Sequence, residues 1–116
     1  MKRLDEIDVA RFADMLAAMG TEPRLRIMRL LLSSHPDGLV VGDIHESLGI
    51  ASSTLSHHLE KLKNEGLVNV QREGTFLWYS ANAQTIRELL TFLCTECCSR
   101  NQVIEFTSIM GRHLRG

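Results

Sequence analysis

The chain has few of the residues that interrupt regular structure. Its 116 residues include two prolines and eight glycines, with no low-complexity tract or internal repeat, and their number predicts one domain with a modest core. No apolar run approaches the roughly 20 residues that cross a bilayer. The N-terminal segment MKRLDEID carries no apolar signal-peptide core. We therefore predict a cytoplasmic domain over residues 1–99, followed by a weakly patterned tail over residues 100–116, with no membrane partner.

The sequence also lacks an excess of charge of either sign and any recognisable catalytic motif. There are 13 lysines and arginines and 14 aspartates and glutamates, so the net charge is −1. This balance excludes a highly basic protein that coats nucleic acid non-specifically. We find no glycine-rich phosphate loop, nucleophile elbow or carboxylate pair placed for acid–base catalysis. The sequence therefore predicts a protein that is not an enzyme and needs no organic cofactor.

The most informative segment is the helix predicted to begin just after Ala51. Leu55, Leu59 and Leu62 recur at i, i+4 and i+7, which predicts one apolar face. Short polar side chains near a helix N-terminus suit a DNA major groove, because they allow close approach and the N-terminus attracts phosphate. The residues predicted on the opposite face are Ser53, Ser56, His57, Glu60, Lys61 and Asn64.

A two-stranded hairpin is predicted directly after this helix. Gly66 is typical of a helix C-cap, and Leu67 begins a strand. The segment 72–75, Arg-Glu-Gly-Thr, predicts a turn, after which residues 76–79 form the return strand. A recognition helix followed by a hairpin with a basic turn is the winged helix-turn-helix arrangement. Its wing reaches the flanking phosphates or the minor groove.

The remaining elements are predicted to be mainly helical. Ser52 or Ser53 is the predicted N-cap of the recognition helix, and Asn82 that of the last helix. The segment 39–41 either joins the hairpin's sheet or leads straight into a helix. The other helices are predicted over residues 9–19, 22–32, 42–48 and 83–99.

The chain resembles the ArsR/SmtB family of bacterial winged-helix repressors over roughly residues 8–98. The resemblance is carried by the segments TEPRLRI (21–27), LGI (48–50), STLSHHL (53–59), GLV (66–68) and REG (72–74), with Tyr79. It implies a homodimer whose protomer has the order α-α-α-α-β-β-α. The first and last helices would form the dimer interface, and an effector would release double-stranded operator DNA.

The family's DNA contacts transfer onto matching positions of this chain. The resemblance implies contacts from Ser52, Ser53, Ser56 and His57. It adds phosphate contacts from Lys61, Arg72 and Thr75. An alternative is that the serines only cap and solvate a surface helix. His58 lies beside the leucine stripe, so we expect it to pack rather than read bases.

Two effector sites used in this family do not match the sequence. One arsenic site needs a cysteine pair in the third helix, where this chain has LVVGDI at residues 39–44. The zinc-type site needs histidines on the last helix, and residues 83–99 contain none. Neither site is therefore expected in this chain.

The last helix carries a cysteine cluster instead. Cys94, Cys97 and Cys98 are the only cysteines and lie within five residues, at i, i+3 and i+4 of one helix face. In a cytoplasmic protein they are expected to be thiols. Three thiolates suit a thiophilic ion, and trivalent arsenic or antimony fits best. The segment 96–98, Glu-Cys-Cys, is similar to the pattern of family members that sense arsenic at this helix end. We predict a repressor released by arsenic bound to these thiols.

The cysteine cluster and the hairpin are also compatible with other functions. If only two thiols converge, a monomethylated trivalent arsenical is the better ligand. A disulfide from Cys94 to Cys97 or Cys98 would make the protein a redox or reactive-sulfur sensor. Zinc binding that includes His113 is a further hypothesis. Another is that the cysteines have no sensing role. A winged helix that binds another protein rather than DNA is the alternative of a different class.

Overall fold

The computed structural model describes the backbone of residues 2–95 and the side chains of residues 6–95. The chain divides into two compact units, residues 1–86 and 87–116. The predicted boundary between residues 99 and 100 lies outside the described residues. The elements in chain order are α1 (Lys2–Met19), α2 (Glu22–Ser33), β1 (Leu39–Val40), α3 (Val41–Leu48), α4 (Ser52–Asn64), β2 (Val68–Glu73), β3 (Phe76–Ala81) and α5 (Ala83–Cys94).

The predicted mainly helical, winged helix-turn-helix order is confirmed, with two differences at its edges. Helix α1 begins at Lys2 instead of residue 9. Both alternatives for the segment 39–41 are correct in part, because Leu39 and Val40 form a short strand and Val41 begins α3. The predicted last helix is observed as far as Cys94, and its remainder lies outside the described residues.

Helix α2 is the centre of the first unit. It packs against α1, α3, α4 and β3. Its Ile27, Met28 and Leu31 are at most 1% exposed, which follows from their spacing on one helix face. Thr21 accepts a hydrogen bond from the Arg24 N–H, so the helix begins with a capping hydroxyl and a proline in its first turn.

The sheet has the order β1-β3-β2 and is antiparallel throughout. β3 is therefore its central strand, but β1 pairs with only two of its residues, Trp78 and Tyr79. The rest of β3 pairs with β2 alone. The hairpin thus has a three-stranded root and a two-stranded tip, which projects Phe76 and its neighbours beyond the core.

Candidate nucleic-acid interface

Helix α4 is held by its apolar face. Leu55, Leu59 and Leu62 are all 0% exposed, as their spacing predicts, and the helix packs against α1, α2 and β2. Burying three leucines of one helix contributes several kcal/mol to stability. The helix is therefore fixed in position by the core, and its other face is presented to solvent.

The predicted recognition residues of α4 all lie on this solvent-facing part of the helix. Ser52, Ser53, Ser56, His57 and Lys61 are each exposed. The structure thus gathers the five predicted helical contacts on one element. Their role in binding DNA remains a prediction.

The N-terminus of α4 differs from the sequence prediction. Ala51, not Ser52 or Ser53, occupies the N-cap, and no side chain caps the helix. The first turn closes one residue earlier because the Leu55 N–H donates to the Ala51 carbonyl at 2.8 Å. The serine hydroxyls are consequently not used for capping. Backbone N–H groups of a first helical turn have no intrahelical acceptor, which is the basis of phosphate binding at helix N-termini.

The turn that precedes α4 fixes its direction. Gly49 adopts a left-handed conformation, φ 69°, and its N–H donates to the His45 carbonyl at 2.8 Å. His45 is exposed, and its Nδ1 hydrogen-bonds the Ile50 carbonyl oxygen across the turn. Helices α3 and α4 are therefore joined by a hydrogen-bonded turn.

Charge around α4 is mixed. Glu60 and Lys63 form an exposed ion pair of 3.6 Å, of a kind that contributes little to stability. His57 and Lys61 also line a cleft of about 390 Å³ together with Asp14 of α1 and Arg24 of α2. Because carboxylates sit beside these basic groups, the positive potential of a single protomer is weak here.

The wing presents the other two predicted contacts. Arg72 and Thr75 are both exposed, next to the turn at Gly74, whose φ of 64° suits glycine. Arg72 lies opposite Leu77 in the ladder, and the last pair before the turn is Glu73 with Phe76. The wing therefore carries one basic, one acidic and one aromatic side chain around its tip.

The candidate effector site falls mostly outside the described residues. Cys94 ends α5 and is half-buried. Cys97, Cys98 and His113 lie outside residues 2–95. In the part of the chain that the structure describes, no three His, Cys, Asp or Glu side chains form a metal site. The cysteine cluster remains a prediction from the sequence.

One contact was missed by the sequence analysis. Arg24 Nη1 lies 3.4 Å from His58 Nδ1, and Arg24 Nε donates to the Ala18 carbonyl. Arg24 thereby connects α1, α2 and α4 at the edge of the cleft. No sequence signal identifies it, because the partners lie 34 residues apart.

Comparison with known proteins identifies relatives over most of this architecture. The family model described as bacterial regulatory protein, arsR family, matches residues 21–70. The transcriptional activator HlyU of Vibrio cholerae is 32% identical over 97 residues, 84% of this chain and 87% of the relative. The putative arsenical resistance operon repressor ArsR2 of Halobacterium salinarum is 29% identical over 82 residues, 71% of this chain and 68% of the relative.

Solved structures extend the similarity to the three-dimensional fold. Reduced HlyU from Vibrio cholerae aligns with a TM-score of 0.65 at 28% identity, covering 84% of this chain and 99% of that one. The homodimeric winged helix-turn-helix DNA-binding domain of Mb0332 from Mycobacterium bovis aligns with a TM-score of 0.63 at 25% identity, covering 83% and 86%. No helix within residues 2–95 is long and apolar enough to span a membrane.

Proposed function

Because the chain belongs to the arsR family of bacterial regulatory proteins, which are DNA-binding transcriptional regulators and not enzymes, we propose that it is a repressor that reads operator DNA with α4. The observation that carries this proposal is that α4 has one buried apolar face and one exposed polar face. Its leucines are fully buried, while Ser53, Ser56 and His57 are exposed. A helix anchored in this way fits a major groove, and its small polar side chains allow contact with base edges.

The ends of this surface supply phosphate contacts. The uncapped first turn of α4, with Ser52 and Ser53, offers N–H groups and hydroxyls to one phosphate. Lys61 contacts phosphate from the C-terminal part of α4, and Arg72 and Thr75 contact phosphate from the wing. Phosphate contacts position the protein, whereas base contacts from the helix specify the sequence.

We propose that the protein acts as a homodimer, like the related Mycobacterium bovis domain. Exposed apolar side chains on α1 support this: Ile7 is 56% exposed, Val9 55% and Leu16 43%. On α5, Leu93 is 53% exposed. A second copy that covers such side chains stabilises both. Two-fold symmetry then places two copies of α4 in successive major grooves and doubles the modest positive charge of one protomer.

The proposed effector is trivalent arsenic or antimony bound by Cys94, Cys97 and Cys98. The support is the clustering of the chain's only cysteines and the similarity to a relative named as an arsenical resistance repressor. Three thiols displace three hydroxides from arsenous acid, release three waters and leave arsenic trivalent. When arsenic bridges the three sulfurs, it distorts the end of the last helix. This distortion shifts the two copies of α4 in the dimer relative to each other. A coupling of about 1–3 kcal/mol lowers operator affinity 5- to 150-fold.

A redox response is the second candidate for the same cysteines. The structure of the relative HlyU is described as that of a reduced form, and this supports a response based on thiol chemistry. Loss of two electrons to an oxidant such as peroxide would join Cys94 to Cys97 or Cys98 and release two protons. Both candidates place the trigger at the end of the last helix, and they differ in the reagent that releases DNA.

DNA binding is tested first, with reduced full-length protein. The protein is used to enrich a duplex from a random-sequence pool, and affinity is measured against salt concentration by fluorescence anisotropy. We expect a steep salt dependence, and a slope reduced by about 2 in Arg72→Ala, because each bound dimer loses two phosphate contacts. Arg26→Ala is the matched control, an exposed arginine of α2 that pairs with Glu22 at 3.1 Å. If no duplex is enriched, or binding is insensitive to salt, the protein-interaction alternative replaces the DNA-binding proposal.

The effector is tested on that enriched duplex. Arsenite under reducing conditions is expected to release wild-type protein but not Cys97→Ser, and native mass spectrometry counts the bound arsenic. Peroxide without arsenite tests the redox candidate, with recovery on adding reductant. If peroxide releases the DNA and arsenite does not, the metalloid proposal is rejected and the DNA-binding proposal remains.

A further inference from the structure

The tip of the wing carries an aromatic side chain that the protein does not bury. Phe76 is 61% exposed and directly follows the Gly74–Thr75 turn. Leu77, its neighbour in β3, is also 36% exposed, but on the other face of the ribbon. A large exposed ring at a projecting tip is suited to contact with another molecule, because aromatic side chains dominate interface energetics.

The sheet topology explains why Phe76 is left uncovered. β1 reaches only Trp78 and Tyr79 of the central strand, so Phe76 lies beyond the three-stranded root. It is nevertheless held in place, because it forms the last cross-strand pair of the ribbon with Glu73. The ring therefore sits on a hydrogen-bonded ladder rather than in an irregular loop.

Strand alternation separates the two faces of the wing tip. Val68 and Ala81 face each other and are buried, which identifies the inner face. Residues two apart in a strand share a face, so Arg72 and its partner Leu77 belong to this inner face. Phe76 and Glu73 belong to the outer one.

We propose that Phe76 is an apolar contact to the DNA minor groove, where its ring inserts at a base-pair step between the sugar edges. This inference rests on the proposed function, because it assumes that the wing meets DNA. Thr75, a proposed wing contact in the turn, directly precedes Phe76, so the ring adjoins the proposed interface at the tip of the wing. Apolar side chains inserted at minor-groove steps unstack them and bend the duplex.

The charges at the tip favour a minor-groove contact by Phe76 over a further contact with phosphate. Glu73 lies opposite Phe76 and repels phosphate, so the outer side of the tip is not suited to ion pairing with the DNA backbone. An uncharged ring is compatible with both the carboxylate and the apolar sugar edges. Flexible pyrimidine–purine steps deform most easily, so such steps are expected where the wing meets the duplex.

The test uses the duplex enriched by the wild-type protein, with 2-aminopurine placed at flanking purines to report unstacking. Phe76→Ala is expected to weaken binding about tenfold at every salt concentration, with the salt slope unchanged. The 2-aminopurine signal caused by wild-type protein is expected to vanish. Phe76→Tyr, which retains the ring, should preserve both. Thermal unfolding of Phe76→Ala should match wild type, since exposed side chains contribute little to stability.

Leu25→Ala provides the matched control, because Leu25 is a 51% exposed apolar residue on α2, away from the wing. It should leave affinity and 2-aminopurine fluorescence unchanged. Equal DNA binding by wild type and Phe76→Ala overturns the inference, and a loss of self-association in that variant would assign the ring to a protein contact. A change in salt slope also overturns it, because the ring would then only position Arg72. Failure to enrich any duplex rejects the proposed function itself.

Discussion

Arg24 of α2 and His58 of α4 are in contact, with Nη1 of the guanidinium 3.4 Å from Nδ1 of the imidazole. Guanidinium nitrogens only donate, so the contact favours the neutral imidazole with Nδ1 as acceptor. Burial, the charge of Arg24 and the charge of His57 together lower the pKa of His58 below 6.5. His58 is half-buried beside the leucine face, as the sequence predicts. It is thus a packing residue that links α4 to α2.

We expect the stability of the fold to decline as the pH falls below about 6.5. Between the lowered pKa of His58 and 6.5 the unfolded chain binds more protons than the folded one, so stability rises with pH in that window. His58→Gln removes this contribution and should flatten the dependence measured by urea unfolding between pH 5 and pH 8. Arg24→Ala should flatten it in part, because burial of His58 remains. An unchanged slope in His58→Gln would refute the assignment.

Leu59→Ala is expected to destabilise the protein by about 2–5 kcal/mol. Leu59 is 0% exposed and lies in the middle of the leucine face of α4, so truncation leaves a cavity beneath the recognition helix. Urea unfolding measures the change. Ser56→Ala, on the exposed side of the same helix, should remain within about 0.5 kcal/mol of wild type. Similar losses in both variants would contradict the observed orientation of α4.

Two glycines with positive φ should respond differently to alanine. At Gly74, φ is 64° and an added Cβ meets nothing within 4 Å, so Gly74→Ala should cost about 1 kcal/mol from the backbone alone. At Gly38, φ is 80° and the Cβ would overlap the Tyr79 carbonyl oxygen. Gly38→Ala should therefore cost about 3 kcal/mol or more and disturb the pairing of β1 with β3. Thermal unfolding of the two variants in parallel gives the comparison.

Asn82 ties the start of α5 to the end of α4. Its Oδ1 accepts from the Thr85 N–H at 3.2 Å, and its Nδ2 donates to the Gly66 carbonyl at 3.0 Å. Asn82→Ala should lose about 1–2 kcal/mol of stability. Asn82→Asp retains the cap acceptor but not the donor, so we expect an intermediate loss in urea unfolding. Equal stability of all three proteins would mean that neither hydrogen bond contributes.

The elements with strong local signals were predicted correctly. The leucine spacing identified α4 and its buried face, and Asn82 was identified as the cap of α5. The predicted N-cap of α4 was wrong because Ser52 and Ser53 have a higher capping propensity than Ala51, whereas the backbone hydrogen bond from Leu55 to Ala51 starts the helix one residue earlier. The start of α1 was missed because residues 2–8 are rich in charge and lack apolar periodicity.

Features that depend on distant partners were not predictable from the sequence. β1 is a strand only because Tyr79 and Trp78 pair with it. The contact of Arg24 with His58 and the exposure of Phe76 likewise arise from the packing of separate elements. The candidate contacts on α4 and the wing were identified from a local motif, and their placement on exposed surfaces agrees with it.

The short first strand has an implication for protein engineering. Since β1 pairs with β3 only at Trp78 and Tyr79, extensions or deletions of two residues in both β2 and β3 beyond that point are expected to preserve strand alternation and the pairing of β1. If the wing contacts DNA as proposed, its length along the duplex can be changed separately from the position of α4. Chimeras that exchange only this tip between homologues are a direct way to transfer preferences for flanking sequence.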